Sequence, residues 1–448
     1  MIELFQVFIQ FLIFNSLFLF PITPHFASNI LNIKNLNYYN ILIINILVHL
    51  LIYLILSLFI KNLAEIFSFL FFFSILALLI NFKSNFLILK KNFNKLFLTF
   101  FFLNICLSLR SVVEPSLYWD GLAHWIYKAS AYYQGLGFIN TGIKEYPHLP
   151  GFIWGFFWKN SLLQKEYVGR LFLIFFYITS IFFILDLFKN YIQDIIKILF
   201  VFLIIFLSYD KNLFGGYNEY YIFSLLAISS KFLYLIFFTK KKSQNQITLY
   251  KLLFYLSAYL LIWIKQEGVF WFLILTSILI YFETLIRNRF IHIIYLLFSL
   301  FSFFLIKSFF YETVYFSYEF YKIDYLSFFS FYEVLTNIVK ISLYLFISFF
   351  KYPIWILIIL FFFKTSFEKN FMTKYKIFYL FFILSLFFLY SLMMHFIFST
   401  NDKIATDLVL RVSFDRITLH SAGFHLILLV IVLNKYLFYF SKKNNFYL

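Results

Sequence analysis

Cysteine, proline and charged residues are scarce in this chain of 448 residues. Its one cysteine, Cys106, lies inside an apolar run and excludes an internal disulfide framework. Only 13% of the residues are charged and 63% are hydrophobic, which is not the composition of a soluble globular protein. The eight histidines are scattered without an HExxH pattern, and Walker loops, GxGxxG fingerprints and nucleophile elbows are missing. These absences argue against a zinc site and against the common classes of nucleotide-binding protein and hydrolase.

Long apolar runs dominate the sequence, and its mean hydropathy is +0.88. Runs of about 20 residues recur from end to end, which is the length of a helix that crosses the hydrocarbon core of a bilayer. They do not alternate as the strands of a membrane barrel would. We therefore predict an all-α, polytopic helical membrane protein with one domain, 1–448, and roughly thirteen spans. The predicted spans lie near 4–21, 39–60, 65–82, 95–110, 167–188, 195–209, 219–238, 252–265, 268–286, 291–311, 377–397 and 417–440, with one or more within 335–364.

The placement of lysine orients these spans. The formal net charge of +17 comes largely from connections near 83–95, 189–197, 240–251 and 364–376 and from the C-terminal tail, which all fall on one side. By the positive-inside rule that side is the cytoplasm, so the excess charge orients the protein and predicts no nucleic-acid partner. The segment that begins Met1-Ile2-Glu3 lacks the basic region of a removable signal peptide, and we expect it to stay in the mature protein.

The longest polar interruption, 111–166, separates the N-terminal spans (1–110) from the remaining spans (167–448) and is predicted to face outward. It holds four of the seven tryptophans and should contain interfacial helices. Asp120, His124 and Lys128 recur at i, i+4 and i+8, so a helix that begins there would carry them on one face. Asp120 fits two interpretations. It is either the N-cap of this helix or a carboxylate that accepts a proton from a hydroxyl nucleophile.

Two further motifs precede predicted spans on the outer side. Gly215-Gly216-Tyr217-Asn218-Glu219 breaks the backbone, and Glu219 there either caps the next helix or takes part in chemistry. The motif 263–268 forms a predicted hairpin turn that carries Lys265 and Glu267. Lys265 either extends to the membrane interface or has a function, because an outward lysine opposes the positive-inside rule.

Arginine is rare, with six residues among the 37 basic ones, and four of the six lie at the predicted outer face. One of these, Arg416, opens the last predicted span, with His420 one turn later. Because the chain otherwise uses lysine, these arginines suggest a need for planar, bidentate hydrogen-bond donors, which suit phosphate. The alternative is structural pairing of Arg416 with Asp407 or Asp415.

The order of these motifs resembles that of bacterial GT-C membrane glycosyltransferases, the relatives of the protein mannosyltransferases and the lipid A aminoarabinose transferases. The similarity extends from about Arg110 to His425. It rests on Trp119-Asp120-Gly121, the aromatic segment with Lys128, Tyr146-Pro147, Gly216-Tyr217-Asn218-Glu219, Lys265-Gln266-Glu267-Gly268, and Arg416 with His420. Two features depart from the family: about four spans precede the polar loop, and no acidic doublet occurs at 120–121.

The resemblance implies transfer of a sugar from a polyprenyl-phosphate-linked donor to a lipid, glycan or protein acceptor. The reaction would take place at the periplasmic face of a bacterial inner membrane, with the C-terminus in the cytoplasm. Asp120 corresponds to the catalytic acid and Glu219 to the second acid. A divalent cation is left open as a cofactor, and no metal ligand is assigned. The expected substrate-binding residues are Trp119, Trp125, Lys128, Glu145, Tyr146, Tyr217, Lys265, Glu267, Arg416 and His420.

Two other functions are compatible with the same pattern. An envelope polysaccharide polymerase or ligase also joins lipid-linked sugars outside the membrane, and would depend more on the outer arginines and histidine than on Asp120. A lipid or solute transporter would carry out no chemistry. Transporters, however, more often place charges near the bilayer midplane, whereas this chain keeps them at predicted span ends.

Overall fold

The structure is a computed structural model that describes residues 2–19, 37–59, 61–80, 94–118, 120–138, 146–189, 192–210, 214–238, 243–311, 331–368, 375–399 and 403–444. All regular secondary structure within these ranges is helical. The helices are α1 (Ile2–Leu19), α2 (Tyr38–Phe59), α3 (Leu63–Ile80), α4 (Lys95–Val113), α5 (Ile126–Tyr133), α6 (Leu149–Lys159), α7 (Glu166–Ile184), α8 (Asp194–Ser208), α9 (Glu219–Phe238), α10 (Gln244–Ile264), α11 (Glu267–Phe282), α12 (Ile286–Tyr311), α13 (Phe331–Lys351), α14 (Ile354–Ser366), α15 (Lys376–Ser399) and α16 (Lys403–Asn444).

Ten of the described helices are long and apolar enough to cross a membrane, and α3, α11 and α14 contain shorter apolar segments. The predicted polytopic helical membrane architecture is therefore confirmed for this part of the chain, whereas the number of roughly thirteen spans is not. The last predicted span is also longer than expected. Residues 403–416, predicted as part of an outer connection, belong to α16, a continuous helix of 42 residues.

Two helices form the centre of the bundle. The apolar segment of α7 is 100% buried and that of α16 is 94% buried, whereas the corresponding segment of α12 is only 17% buried. Close approach to α9 explains part of this burial, because a Cβ on Gly423 of α16 would lie 2.2 Å from the carbonyl oxygen of Phe223. Small residues allow helices to pack this closely inside a membrane. The first residues of α7, of α9 and of the apolar part of α16 are thus held together at one end of the bundle.

Polar contacts identify the opposite end. Lys231 of α9 forms an ion pair of 2.5 Å with Asp186, just after α7, and a hydrogen bond with Asn40 at the start of α2. Asn434 in the second half of α16 donates a hydrogen bond to the carbonyl oxygen of Leu187. The ends of α7, α9 and α16 therefore meet here. This end is continuous with the lysine-rich connections that are expected to be cytoplasmic.

The segment 111–166 contains α5 and α6, but neither is a simple interfacial helix. A π-helical turn, Gly121–Trp125, precedes α5, so the residues predicted to stack at i, i+4 and i+8 do not follow one regular helix. His124 stacks on Tyr146, whereas Lys128 is fully buried beside Gly151 of α6. In α6 all residues from 149 to 157 are buried. This helix is part of the protein interior.

Candidate functional site

Five charged residues from distant parts of the chain meet at the end of the bundle opposite Lys231, and we call them the polar cluster: Asp120, Glu219, Lys265, Glu267 and Arg416. The ammonium of Lys265 lies 2.9 Å from Glu219 Oε1, 3.5 Å from Glu267 Oε1 and 3.9 Å from Asp120 Oδ2. Arg416 donates a hydrogen bond to Asp120 Oδ2, and its Nη1 lies 3.4 Å from Glu219 Oε1. Asp120 and Glu219 therefore share both cations.

The polar cluster is buried and carries more negative than positive groups. The side chain of Glu219 is completely buried, and no other side chain of the cluster is more than 14% exposed. Three carboxylates and two cations give a formal charge of −1. Burial alone would lower the pKa of Lys265, but the carboxylates of Glu219 and Glu267 outweigh it and hold that pKa well above its ordinary value. Lys265 is consequently a permanent cation at physiological pH.

Two backbone segments that contact each other hold the two central acids, Asp120 and Glu219, in place. The N–H of Tyr118 donates a hydrogen bond of 3.0 Å to the carbonyl oxygen of Gly215. Gly121 lies against Gly215 and Gly216, and Gly216 has a φ of +103°, which favours glycine. The turn before Asp120 and the turn before Glu219 are therefore packed backbone to backbone. The two glycines at 215–216 were predicted to break the helix, but their role as a contact surface for Gly121 was missed.

We expect Gly121→Ala to destabilise this contact by about 1–3 kcal/mol, because overpacking forces the backbone to move. The added Cβ would lie 2.6 Å from the carbonyl oxygen of Gly215 and 3.2 Å from the Cα of Gly216. Thermal unfolding of the purified protein measures the effect. Leu122→Ala is the matched control, since Leu122 is 52% exposed and adjacent in sequence. Equal melting temperatures for both variants would contradict the close approach.

Arg170 ties the same two turns to α7. Its guanidinium donates to the carbonyl oxygens of Phe214 and Pro115, each at 2.9 Å, and pairs with Glu166 at 2.9 Å. These contacts explain one of the four outer arginines whose placement suggested a need for phosphate recognition. Arg170 is instead a structural residue, and the i, i+4 spacing of Glu166 and Arg170 was the available signal for it.

A tight hairpin places two members of the polar cluster side by side. Only Lys265 and Gln266 separate α10 from α11, which begins at Glu267. The two helices cross so closely that a Cβ on Gly268 would lie 1.8 Å from the carbonyl oxygen of Leu261. The hairpin turn was predicted, and the structure adds that Lys265 points into the cluster and pairs with three carboxylates.

The start of the membrane-spanning part of α16 supplies the second cation. Arg416 lies over the ring of Tyr217, with 4.5 Å between the guanidinium carbon and the ring centre. The neighbouring Asp415 accepts hydrogen bonds from Lys351 at 2.6 Å and Ser348 at 2.5 Å. Pairing of Arg416 with Asp415 is thus not observed, and the side chain of Asp407 lies outside the described part of the chain.

One turn below Arg416, His420 extends the cluster into the bundle. Trp271 donates its indole N–H to His420 Nδ1 at 3.3 Å, so the neutral imidazole carries its proton on Nε2. Among the described residues, His420 Nε2, Glu219 Oε2, Glu267 Oε2 and Asn218 Nδ2 have no hydrogen-bond partner although they are buried. Buried polar atoms normally have partners, so a polar ligand that reached these four atoms would satisfy them.

Aromatic side chains border the polar cluster. His124 stacks on Tyr146 with 4.9 Å between ring centres, and Trp125 meets Tyr146 edge-on at 5.9 Å. Desolvation lowers the pKa of His124, which is therefore neutral near pH 7. Lys128 is electrostatically coupled to His124 but is itself fully buried. Two residues expected at the site, Trp119 and Glu145, lie outside the described residues.

The described residues contain no group of three or more histidine, cysteine, aspartate or glutamate side chains that could hold a metal ion. The divalent cation left open by the sequence is therefore not assigned to a site. Comparison of the chain with known protein families, curated proteins and solved structures gives no match. Its function has to be inferred from the site.

Proposed function

We propose that the protein is a membrane glycosyltransferase that moves a sugar from a polyprenyl-phosphate-linked donor to an acceptor hydroxyl, and that the polar cluster is its active site. One observation carries this proposal. Asp120, Glu219, Lys265 and Arg416, from four separate segments, lie within ion-pair distance of one another at a single end of the bundle. The order of motifs that resembles GT-C enzymes predicted these same four residues as catalytic acids and phosphate ligands.

The chemistry needs a base and a site for a leaving phosphate. Asp120 accepts the proton of the acceptor hydroxyl while the hydroxyl oxygen forms a bond to C1 of the sugar. The bond between C1 and the phosphate oxygen breaks, and its electron pair stays on the phosphate. Lys265 and Arg416 stabilise that charge. A single displacement of this kind inverts the configuration at C1.

The charge of the polar cluster links donor binding to catalysis. Because the cluster has a formal charge of −1, a phosphate can enter only by replacing a carboxylate as the partner of Arg416 or Lys265. Arg416 binds Asp120 in the structure. Moving Arg416 onto the phosphate releases the Asp120 carboxylate from this hydrogen bond, so that it can accept the hydrogen bond of the acceptor hydroxyl. The base thus becomes active when the donor is in place.

The location of the cluster suits a lipid-linked substrate. It lies at the bundle end away from the lysine-rich connections, and by the positive-inside rule this supports a position at the periplasmic face of a bacterial inner membrane. The aromatic residues Trp125, Tyr146 and Tyr217 border it. Trp125 and Tyr217 are buried, whereas Tyr146 is partly exposed and offers a surface for a sugar ring or a prenyl chain. The cluster is at one end of the bundle, which supports chemistry at the interface over transport through the midplane.

Reconstitution tests the proposal. Purified protein in liposomes should convert a polyprenyl-phosphate-linked sugar, in the presence of acceptor lipids, into a glycosylated product detected by mass spectrometry. The sugar and the acceptor are chosen from the lipid-linked species that accumulate in cells lacking the protein. Movement of the labelled donor between leaflets without any glycosidic product would contradict the proposal and support a transporter.

A further inference from the structure

Helix α13 presents three different surfaces along its length. Five apolar residues at helical spacing are each at least half exposed: Leu335, Val339, Leu343, Phe346 and Phe350. A second stripe is polar and consists of Asn337, Lys340, Tyr344, Ser348 and Lys351. Ile341 and Leu345 are buried against the bundle. The polar stripe runs over most of the helix and includes Lys340 near its middle.

This pattern disagrees with a spanning helix. Lys340 is near the middle of α13, and if the helix crossed the bilayer its side chain would lie near the midplane, where a lysine is costly. A helix that lies flat in the interface has a different requirement, namely one face toward water and the opposite face in hydrocarbon. The two stripes of α13 have that arrangement.

Two hydrogen-bonded contacts fix the direction of α13. Near its end, Ser348 and Lys351 bind Asp415 of α16. Six residues before Ser348, Ser342 forms a hydrogen bond of 2.7 Å with Tyr390 of α15.

Stacked rings provide the reference height. Phe381 of α15 and Phe424 of α16 have ring centres 3.7 Å apart, so they are level. The two helices run in opposite directions, and Tyr390 and Asp415 are each nine residues from this pair, toward the same end. Nine residues correspond to about 14 Å of helix. Asp415 and Tyr390 are therefore at equal height, and α13 contacts both.

The spacing along α13 agrees with a transverse course. Ser342 and Ser348 are six residues apart, or about 9 Å of helix. That is the usual distance of 8–10 Å between the axes of two packed helices. A helix that contacts α15 and then α16 at the same height, six residues apart, lies across these two helices.

Helix α14 then makes the crossing in this region. Trp355 at its start donates a hydrogen bond of 3.0 Å to the carbonyl oxygen of Thr418. Glu368, just beyond its end, pairs with Lys435. Thr418 and Lys435 are near the two ends of the last span, so the short α14 connects the two faces of the bundle.

We propose that α13 is an interfacial helix that inserts its apolar stripe into the lipid leaflet on the side of the polar cluster. Its polar side faces water, except at Ser348, which is buried and holds the helix to Asp415 of the bundle. Within the described residues 331–368, the membrane is therefore crossed once, through α14. Lys351 links this helix to Asp415, the neighbour of Arg416, so a lipid-facing element is joined directly to the site. The sequence left the number of helices within 335–364 open.

Depth measurements on the full chain in lipid vesicles test this inference. Cys106→Ser provides a background, and single cysteines at Leu335, Val339, Leu343, Phe346 and Phe350 carry nitroxide labels. Collision with oxygen and with a water-soluble nickel complex reports the depth of each label. We expect all five depths to agree within about one helical turn, or ~5 Å. A label at Lys340 should be accessible to nickel.

Helix α12 is the matched control. Its exposed positions Ile291, Phe298, Phe301, Leu305 and Phe309 have similar apolar character, and α12, like α13, is long and apolar enough to span. Under the proposal, of these two helices only α12 crosses the bilayer. Depth there should pass through a maximum near the centre. The same profile in α13, with a maximum at Leu343, would overturn the proposal. Labels in α13 that are shielded from both oxygen and nickel would overturn it too, since protein would then cover the stripe.

Discussion

Asp120→Asn is expected to reduce sugar transfer by about 10²–10⁴-fold, the usual contribution of a general base. Asparagine keeps the shape of the side chain and an oxygen that can accept the hydrogen bond from Arg416, so the polar cluster should stay assembled. It removes one negative charge from a cluster with a formal charge of −1. The loss should therefore appear in kcat, while the KM for the anionic donor stays equal or falls. Steady-state kinetics with reconstituted protein separate the two constants.

The matched control is Glu114→Gln. Glu114 follows α4 in the same segment of chain, but it is exposed and pairs with Arg110 outside the polar cluster. Exposed ion pairs of this kind contribute little, so activity and stability should both be preserved. An Asp120→Asn variant with unchanged kcat would remove the proposed base. A raised donor KM with normal kcat would assign Asp120 to binding.

The second large effect is expected from removal of the arginine. Arg416→Ala leaves Asp120 and Glu219 buried with only Lys265 as a counter-charge. Loss of one partner from a buried ion pair typically destabilises a protein by about 3–5 kcal/mol. We expect a lower melting temperature and a higher KM for the donor. Thermal unfolding in detergent and donor titration at a temperature where the variant is folded measure the two effects separately.

Arg416→Lys distinguishes charge from geometry. Arg416 reaches Asp120 and Glu219 and covers the ring of Tyr217, which a lysine ammonium cannot do with the same planar group. We expect stability to recover largely and donor affinity only in part. Arg110→Lys is the control, because that arginine forms an exposed pair worth about 0–1 kcal/mol. Complete recovery of affinity with lysine at 416 would show that charge alone suffices.

The candidate residues were predictable because each one interrupts an apolar run. Asp120, Glu219, Lys265 and Arg416 are local signals of this kind, and a membrane environment makes every buried charge costly. Arg170 is also such a signal, yet its role is structural. A charge that interrupts an apolar run does not by itself separate the two roles, and the i, i+4 spacing of Glu166 and Arg170 is the one sequence signal for the structural role. Only the partners of each side chain distinguish them.

The sequence by itself determined the helical membrane architecture and the end of the bundle at which polar residues collect, because a bilayer requires long apolar helices with satisfied backbone groups. The tertiary structure decided which charges pair, since Lys265 and Glu219 are 46 residues apart and Arg416 and Asp120 are 296 apart. The proposed course of α13 likewise rests on its contacts with α15 and α16, since its length and composition allow a span. Both outcomes depend on contacts between distant segments, and these arise only when the helices pack.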